Sequence, residues 1–317
     1  MKVFNRQAIA QHLDLDDAEA RLAQGFMAYS AGKVQVPPVQ AFSFAQANGD
    51  CCIKSAWLEG SDTFTVKVST GFYDNPALGL DSNDGLMLVL SACNGQPLAL
   101  LADQGWLTSV RTALAGRIVA RVLAPARVEA IGVLGTGSQA RLQLEYLKAV
   151  TECREVIVWG RSEAALSDYH DFAEALGFNV RTTLEPQAVA QAANLIICAT
   201  PSREPLLMRD WLRPGTHITA VGADASGKQE LDPWLVAAAD RIVVDSIPQC
   251  SQYGEVSHAV KAGMIDWLGL VELGRVLDGS NPGREHEAQI TLADLTGVAV
   301  QDAQIARCAY EALLGSN

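Results

Sequence analysis

The sequence predicts an α/β protein with two domains, one a doubly wound parallel sheet and one an α+β domain with a mainly antiparallel sheet. Between Val128 and Asp245, short apolar strands alternate with helical segments, which is typical of a parallel sheet covered by helices on both faces. Residues 39–101 instead hold consecutive strand-like runs separated by Gly, Asn, Asp and Pro clusters. The chain has 317 residues and 49% hydrophobic content, which is enough for two cores.

The α+β domain is predicted to cover residues 1–125 and to be completed by a C-terminal helix at residues 298–317. The first predicted element is a helix, because apolar residues recur there at helical spacing. Asp14 is its predicted N-cap. Five short strands follow the helix. A long helix over residues 108–123 comes next and ends before Pro125.

The parallel-sheet domain is predicted to cover residues 126–297. Its first strand, Val128–Leu134, leads through a Gly-rich turn into a helix that ends near Val150. Further strands are predicted at residues 155–159, 179–182, 195–199, 217–221 and 241–245.

Net charge and apolar patterning argue against several classes of partner. The chain has 24 basic and 36 acidic side chains, and its formal net charge of −12 opposes binding to nucleic acid and to anionic membranes. Its first residues are polar rather than signal-like, and no apolar run reaches the roughly 18 residues that span a bilayer. We therefore expect a cytoplasmic protein with no nucleic-acid or membrane partner.

The cysteine and histidine positions predict no metal site. The seven cysteines include no CxxC pair, and the five histidines form neither HxxxH nor HExxH. Cys51 and Cys52 are adjacent, and adjacent cysteines alone make a poor metal site. The sequence leaves open whether this pair has a role.

The turn after the first parallel strand carries a GxGxxA pattern, the fingerprint of Rossmann dinucleotide-binding domains. Gly135 permits the tight turn, Gly137 lets the backbone approach a pyrophosphate, and Ala140 keeps the helix close to the strand. The helix that follows presents free N–H groups and a positive dipole end to the phosphates. The predicted cofactor-binding residues in this turn are Gly135, Thr136, Gly137, Ser138, Gln139 and Ala140.

The end of the second parallel strand indicates which dinucleotide is bound. NAD enzymes usually place an Asp or Glu there to hold the ribose 2′-hydroxyl, whereas this chain has Gly160, Arg161 and Ser162. Arg161 can pair with a 2′-phosphate and Ser162 can add a hydrogen bond, so we expect NADPH rather than NADH. Thr200 and Asp224 follow the fourth and fifth strands and should face the same crevice, although Asp224 could also be a helix cap.

Five segments in matching order and spacing together resemble the ornithine cyclodeaminase/mu-crystallin family across essentially the whole chain. They are FTVKV at residues 64–68, LTSVRTA at 107–113, GVLGTGSQA at 132–140, VGADASGKQELD at 221–232 and LTGVAVQD at 295–302. The resemblance implies a homodimer, and it makes the α+β domain the one for substrate binding and dimerisation. It also implies a substrate in which a carboxylate adjoins an amine, imine or keto carbon.

The resemblance assigns roles to particular residues of this chain. Lys67 and Arg111 resemble the family's substrate-carboxylate ligands, Asp224 resembles its catalytic acid/base, and Thr296 resembles a residue of the segment that closes over the nicotinamide. Two positions depart from the family pattern. Gln40 stands where an Arg is frequent and Lys54 where a Glu is frequent, so the carboxylate clamp loses one cation and can regain one at Lys54.

These expectations combine into an NADPH-dependent reductase of a small cyclic imino acid, of the type that converts Δ1-pyrroline-2-carboxylate to L-proline. Lys67 and Arg111 would hold the carboxylate, and Asp224 would manage the proton at the nitrogen. An amino-acid enzyme such as ornithine cyclodeaminase or alanine dehydrogenase is the first alternative, although cyclodeaminase chemistry uses NAD, against which Gly160 and Arg161 argue. A non-catalytic NADPH-dependent binding protein of mu-crystallin type is the second, and it would not need an acid/base.

Overall fold

The computed structural model describes residues 1–315 and divides into two units. The first comprises Met1–Arg111 together with the segment that starts at Ala299, and the second comprises Thr112–Val298. The strands are β1 (Lys2–Asn5), β2 (Val34–Gln35), β3 (Gln40–Phe44), β4 (Gly49–Leu58), β5 (Thr63–Phe72), β6 (Asn83–Ser91), β7 (Pro97–Ala102), β8 (Ile131–Leu134), β9 (Glu155–Trp159), β10 (Asn179–Thr183), β11 (Leu195–Cys198), β12 (His217–Ala220), β13 (Arg241–Val244), β14 (Val271–Glu272) and β15 (Thr291–Asp294). The helices are α1 (Arg6–His12), α2 (Leu15–Ser30), α3 (Trp106–Leu123), α4 (Ser138–Leu147), α5 (Glu163–Ala175), α6 (Pro186–Ala192), α7 (Pro233–Ala238), α8 (Ile247–Cys250), α9 (Gly254–Lys261), α10 (Leu273–Leu277) and α11 (Ala299–Gly315).

The first unit is built on a mainly antiparallel sheet, as the sequence predicts. Within the described residues the strand order is β1-β7-β6-β5-β4-β2, with β3 also paired to β4, and the β1–β7 pair is parallel. Strand β1 was not predicted, because its short and largely exposed sequence carries no alternating apolar signal. Helix α2 begins as predicted, since the Asp14 side chain accepts hydrogen bonds from the amides of Asp16 and Asp17.

Helix α11 packs on β4 and β5 and decides which face of the sheet is buried. In β5 the buried positions are Thr63, Thr65, Lys67 and Gly71, whereas the apolar Phe64 and Val66 are half-buried. Because side chains alternate along a strand, this register turns a lysine toward the helix. Lys67 is therefore held inside the first unit.

The second unit is a doubly wound parallel sheet with a core on each face, which confirms the predicted fold class. Across residues 112–298 the strand order is β10-β9-β8-β11-β12-β15-β13-β14, and all pairs are parallel. Alternate residues of β11 enter different cores: Leu195 and Ile197 pack with α4 and α5, whereas Ile196 and Cys198 pack with α6, α7 and α9. Such two-sided burial accounts for the continuous apolar strands in the sequence.

Strand β15 was not predicted, although it lies between β12 and β13 near the middle of the sheet. Its sequence is Thr-Leu-Ala-Asp, and all four residues are buried. The sequence of this strand resembles a loop, because it is polar at both ends. In the structure the side chains of Thr291 and Asp294 form hydrogen bonds within the second unit, which allows them to be buried. The short strand β14 was missed for the same lack of an apolar run.

No helix in residues 1–315 is both long enough and apolar enough to cross a membrane.

A fully buried histidine joins β12 to β15 at the start of both strands. His217 Nδ1 lies 2.8 Å from Thr291 Oγ1, and His217 Nε2 lies 3.0 Å from Thr219 Oγ1. Arg284 donates to the same Thr291 hydroxyl at 3.0 Å. Burial, together with the positive charge of Arg284, lowers the pKa of His217 to about 3. His217 is therefore a neutral structural residue.

We expect His217 to make the fold acid-sensitive. Below pH 6.5 His217 binds a proton in the unfolded chain but stays neutral in the folded protein. The free energy of unfolding therefore falls as pH drops toward 3. Between pH 7 and pH 5 the wild type should lose about 2 kcal/mol more than His217→Gln in urea denaturation. His286→Gln, at an exposed histidine, is the control and should keep the wild-type pH dependence. Parallel pH curves for wild type and His217→Gln would contradict this account.

Candidate active site

The predicted dinucleotide-binding turn joins β8 to α4 in the second unit. Gly135 has a φ of +113°, and a Cβ there would lie 2.7 Å from the Ala199 carbonyl oxygen at the end of β11. Its amide donates to the Trp159 carbonyl at 3.0 Å, which ties the turn to β9. Glycine is required here both by backbone conformation and by space.

The first turn of α4 is open at its N-terminus. Gly137 is the N-cap residue, and no side chain caps the helix. Gly137 and Ser138 are exposed, Thr136 and Gln139 are half-buried, and Ala140 is buried against the sheet. An uncapped and exposed helix N-terminus presents several N–H donors and the positive end of the helix dipole. The turn is therefore suited to an anion such as a pyrophosphate.

The end of β9 carries Gly160, Arg161 and Ser162, from which the sequence predicts NADPH binding. Gly160 is buried, and a Cβ on it would lie 2.8 Å from the Thr136 methyl group. Arg161 is exposed, so its guanidinium is accessible to a ligand. Ser162 caps α5, because its hydroxyl accepts from the Ala165 amide at 3.4 Å. This helix-capping bond is a structural role that Ser162 performs without any cofactor.

Thr200 and Thr296 are both held by buried carboxylates. The Thr200 amide donates to Glu230 Oε1 at 2.7 Å. The Thr296 hydroxyl donates to Asp245 Oδ1 at 3.0 Å and lies 3.0 Å from the Gln249 amide nitrogen, which donates to it. Since Thr296 is buried, its hydroxyl serves the packing of the second unit.

Asp224 lies in an exposed loop after β12. Its side chain is 53% exposed, and its Oδ1 forms an ion pair with Lys228 Nζ at 2.7 Å. The helix-cap alternative is excluded, because no helix follows Asp224 directly and α7 is capped by Asp232 instead. A solvent-accessible carboxylate with one cationic partner can accept or hold a proton from a ligand.

Lys67 and Arg111 come together in the first unit around one acid. Lys67 Nζ lies 2.9 Å from Asp302 Oδ2, and Arg111 Nε lies 3.0 Å from Asp302 Oδ1. Arg111 Nη1 also donates to Gln301 Oε1 at 3.2 Å. Lys67 and Asp302 are both 2% exposed. The bonds of Arg111 to Asp302 and Gln301 use two of the five N–H donors of its guanidinium.

The charges of this cluster shift one another's ionisation. Burial lowers the pKa of Lys67 to about 7, with further lowering by Arg111 and Lys54 and an opposing effect of Asp302. Burial alone would raise the pKa of Asp302, but Arg111 and Lys67 hold it below its usual range. Lys54 lies directly opposite Lys67 in the β4–β5 pair, where side chains on one face are close.

Asp103 is a further buried acid near this cluster. Its Oδ2 accepts from the Leu107 amide at 2.7 Å at the start of α3. Burial raises the pKa of Asp103 to about 6, and the nearby charge of Lys67 opposes that rise. Lys67 therefore faces acidic groups from both α11 and the β7–α3 connection.

Asp302 was not predicted as a site residue, although it ends the segment at residues 295–302 that resembles the family. The available signal was an acid on the apolar face of the C-terminal helix, which predicts a buried partner. Two positions depart from the family's sequence pattern. Lys54 lies beside Lys67 in the cluster, whereas Gln40 is exposed in β3 opposite Ile53.

One group of side chains in the described part of the chain has the spacing of metal ligands. His170, Asp171 and Glu174 lie together on the surface of α5. They are largely exposed and acidic, as many solvated helix faces are, and they carry no assignment.

We expect the buried charge of Lys67 to appear in the alkaline pH dependence of stability. Between pH 7 and its ordinary pKa of 10.5, the unfolded chain binds a proton that the folded protein has released, so the free energy of unfolding rises with pH. From pH 7 to pH 9.5 this rise should exceed that of Lys67→Met by about 3 kcal/mol. Lys148→Met removes an exposed lysine and should behave like the wild type. Denaturant titrations test this, and an unchanged slope in Lys67→Met would contradict it.

The chain is similar in both sequence and fold to several proteins of known structure. The chain is similar to an archaeal alanine dehydrogenase, a dimer with bound NAD, at 32% identity and a TM-score of 0.92, covering 100% of this chain and 97% of that one. It is similar to Δ1-pyrroline-2-carboxylate reductase from Thermococcus litoralis in complex with NADH and L-proline, at 28% identity and a TM-score of 0.93, covering 100% and 98%.

The iminosuccinate reductase of Paracoccus denitrificans in complex with NAD+ gives 30% identity and a TM-score of 0.91, covering 100% of this chain and 97% of that one. The sequence profile of the ornithine cyclodeaminase/mu-crystallin family matches residues 1–317. With the family's segments present and its fold observed in both units, the chain belongs to the ornithine cyclodeaminase/mu-crystallin family.

Proposed function

We propose that this protein is an oxidoreductase that uses NADPH to reduce a small cyclic imino acid, of the Δ1-pyrroline-2-carboxylate to L-proline type. The observation that carries the proposal is the buried cluster of Lys67 and Arg111 around Asp302. With Lys54 opposite Lys67 in the sheet, three cations lie near Asp302, so the cluster favours an anionic ligand. A carboxylate adjoining a C=N bond has that charge.

The residues of the first unit would bind and orient the substrate. Arg111 offers a planar set of donors to a carboxylate, and Lys67 adds a point charge. Since the pKa of Lys67 is about 7, this side chain can also hold or release a proton near neutral pH. Fixing the carboxylate fixes the direction of the imine carbon, which is the positioning part of catalysis.

In the second unit, Asp224 would hold the proton at the substrate nitrogen. A protonated imine is a better hydride acceptor than a neutral one, and the exposed carboxylate of Asp224 can stabilise that charge. Residues 135–140 would hold the pyrophosphate at the open N-terminus of α4. The nicotinamide cofactor, when bound, supplies the hydride.

The choice of NADPH over NADH is supported by Gly160 and Arg161. The three related structures hold NAD or NADH, so the preference for NADPH rests on this chain's own residues. A buried glycine at the end of β9 places no acid beside a 2′-phosphate, and the exposed Arg161 is available to pair with it.

An amino-acid dehydrogenase is the second candidate, and the similarity to an archaeal alanine dehydrogenase favours it. The same cation cluster would bind the carboxylate of an α-keto acid. NADPH and NADH oxidation assays with cyclic imines, and with α-keto acids plus ammonia, separate the two reductive candidates. Ornithine is tested by ammonia release, because its cyclodeamination causes no net oxidation of the cofactor. Turnover of cyclic imines supports the reductase, and tight ligand binding without turnover would support a mu-crystallin-type binding protein.

The related alanine dehydrogenase is a dimer, and we propose a homodimer here, testable by light scattering.

Asp224→Asn should lower kcat about 10²–10⁴-fold, the usual range for a general acid/base, with little change in cofactor affinity. Lys228→Gln is the matched control, because it breaks the same ion pair while keeping the carboxylate. Because the Asp224 carboxylate is 53% exposed, solvent screens its ion pair with Lys228, and this control should retain most of the activity. Steady-state kinetics and cofactor titration measure both effects. Equal losses in the two variants would show that the ion pair, and not proton management, is what matters.

Arg161→Ala should largely remove a preference for NADPH over NADH that we expect to be roughly ten- to a hundredfold at low salt. The preference comes from an exposed charge-assisted hydrogen bond, so it should also fall with ionic strength. Arg127→Ala, at another exposed arginine, should keep the preference. Dissociation constants for both cofactors measure it. Equal affinities in the unmodified protein would refute the assignment and favour an NAD-dependent reaction.

A further inference from the structure

Two neighbouring strands of the parallel sheet end at backbone amides that share one acceptor. Thr200 follows β11, Gly222 follows β12, and the two strands are paired in parallel. Glu230 Oε1 accepts from the Thr200 amide at 2.7 Å, and Glu230 Oε2 accepts from the Gly222 amide at 3.0 Å. The Glu230 side chain is fully buried. One carboxylate therefore links the two strand ends at the point where the chain leaves the sheet.

The same carboxylate closes the loop that carries Asp224. This loop runs from Gly222 to Glu230, and the side chain at its end returns to the amide at its beginning. A Cβ at Gly222 would overlap both the Thr200 carbonyl oxygen and Glu230 Oε2. Glycine is thus required for this close approach, as Gly135 is required in the dinucleotide turn.

A second buried carboxylate fixes the backbone of Glu230 itself. Glu255 Oε1 accepts from the Glu230 amide at 2.7 Å, and Glu255 Oε2 accepts from the Leu231 amide at 3.0 Å. Glu255 lies in the first turn of α9 and is fully buried. Glu230 is therefore held at both its backbone and its side chain, which leaves it little freedom to move.

We infer that Glu230 is a positioning residue that sets the place of Asp224 relative to the end of β11. Its carboxylate binds Thr200 and Gly222, which follow β11 and β12, so it acts through the loops it joins. The inference rests on the proposed function, in which Asp224 manages the substrate proton. Two N–H donors need two acceptor atoms, which a carboxylate supplies and a carboxamide does not.

The test is Glu230→Gln, which preserves size but turns one acceptor into an NH₂ donor facing an N–H group. We expect kcat to fall about 10- to 100-fold, the cost of a small misplacement of a catalytic group. We also expect faster hydrogen–deuterium exchange in peptides covering residues 199–203 and 221–230. Asp232→Ala is the matched control, because it removes the N-cap of α7 just beyond the loop and lowers thermal stability without touching Glu230.

A double-mutant cycle separates positioning from a general structural role. If Glu230 acts through Asp224, Glu230→Gln should reduce kcat less than about threefold further in the Asp224→Asn background, because misplacing a group that is already inactive costs little more. Losses that multiply, or unchanged exchange at residues 221–230 in Glu230→Gln, would overturn the inference. Absence of wild-type turnover on every imine would instead refute the proposed reaction, and the exchange experiment would still decide whether Glu230 holds the loop.

Discussion

The pairing of Lys67 and Arg111 with Asp302 is the interaction around which the first unit is organised. Removing a cation from water is costly, and a buried cation is retained only where an opposite charge and hydrogen bonds compensate. Asp302 supplies one oxygen to each cation. It stands on the C-terminal helix, so the buried face of β5 and the start of α3 both depend on a residue about two hundred positions further along the sequence.

In the second unit it is backbone amides, rather than cations, that need buried partners. The amides just beyond the ends of buried strands have no partner in the sheet and therefore need other acceptors. Glu230 and Glu255 accept four of them, and Asp245 accepts from the Gly297 and Val298 amides. Burial raises the pKa of Glu230 to about 7 and raises that of Glu255 as well, so these acids carry a desolvation cost. What they gain is a fixed geometry for the loops that carry the candidate functional residues.

The candidate chemistry is divided between the units in a way that matches its physical demands. A substrate carboxylate needs desolvated cations, and those lie in the first unit among buried residues. A dinucleotide needs exposed N–H donors and close backbone approach, and the second unit offers them at an uncapped helix beside two glycines that tolerate no Cβ without a clash. The three related structures are named for reactions of different amino and imino acids.

The sequence by itself determined the fold class and placed the glycines of the predicted dinucleotide turn, because both depend on local pattern: strand–turn–helix spacing and glycines at a tight turn. Lys67 and Arg111 were predicted from the resemblance to the family, since either alone is an ordinary cation. The sequence did not reveal β15 or the roles of Asp302 and Glu230. Strand β15 has polar ends that only its buried neighbours satisfy, and the two acids act on partners distant in sequence. Local pattern cannot show which donor a buried carboxylate will face, since that depends on how strands and helices pack, and only the tertiary structure decided it.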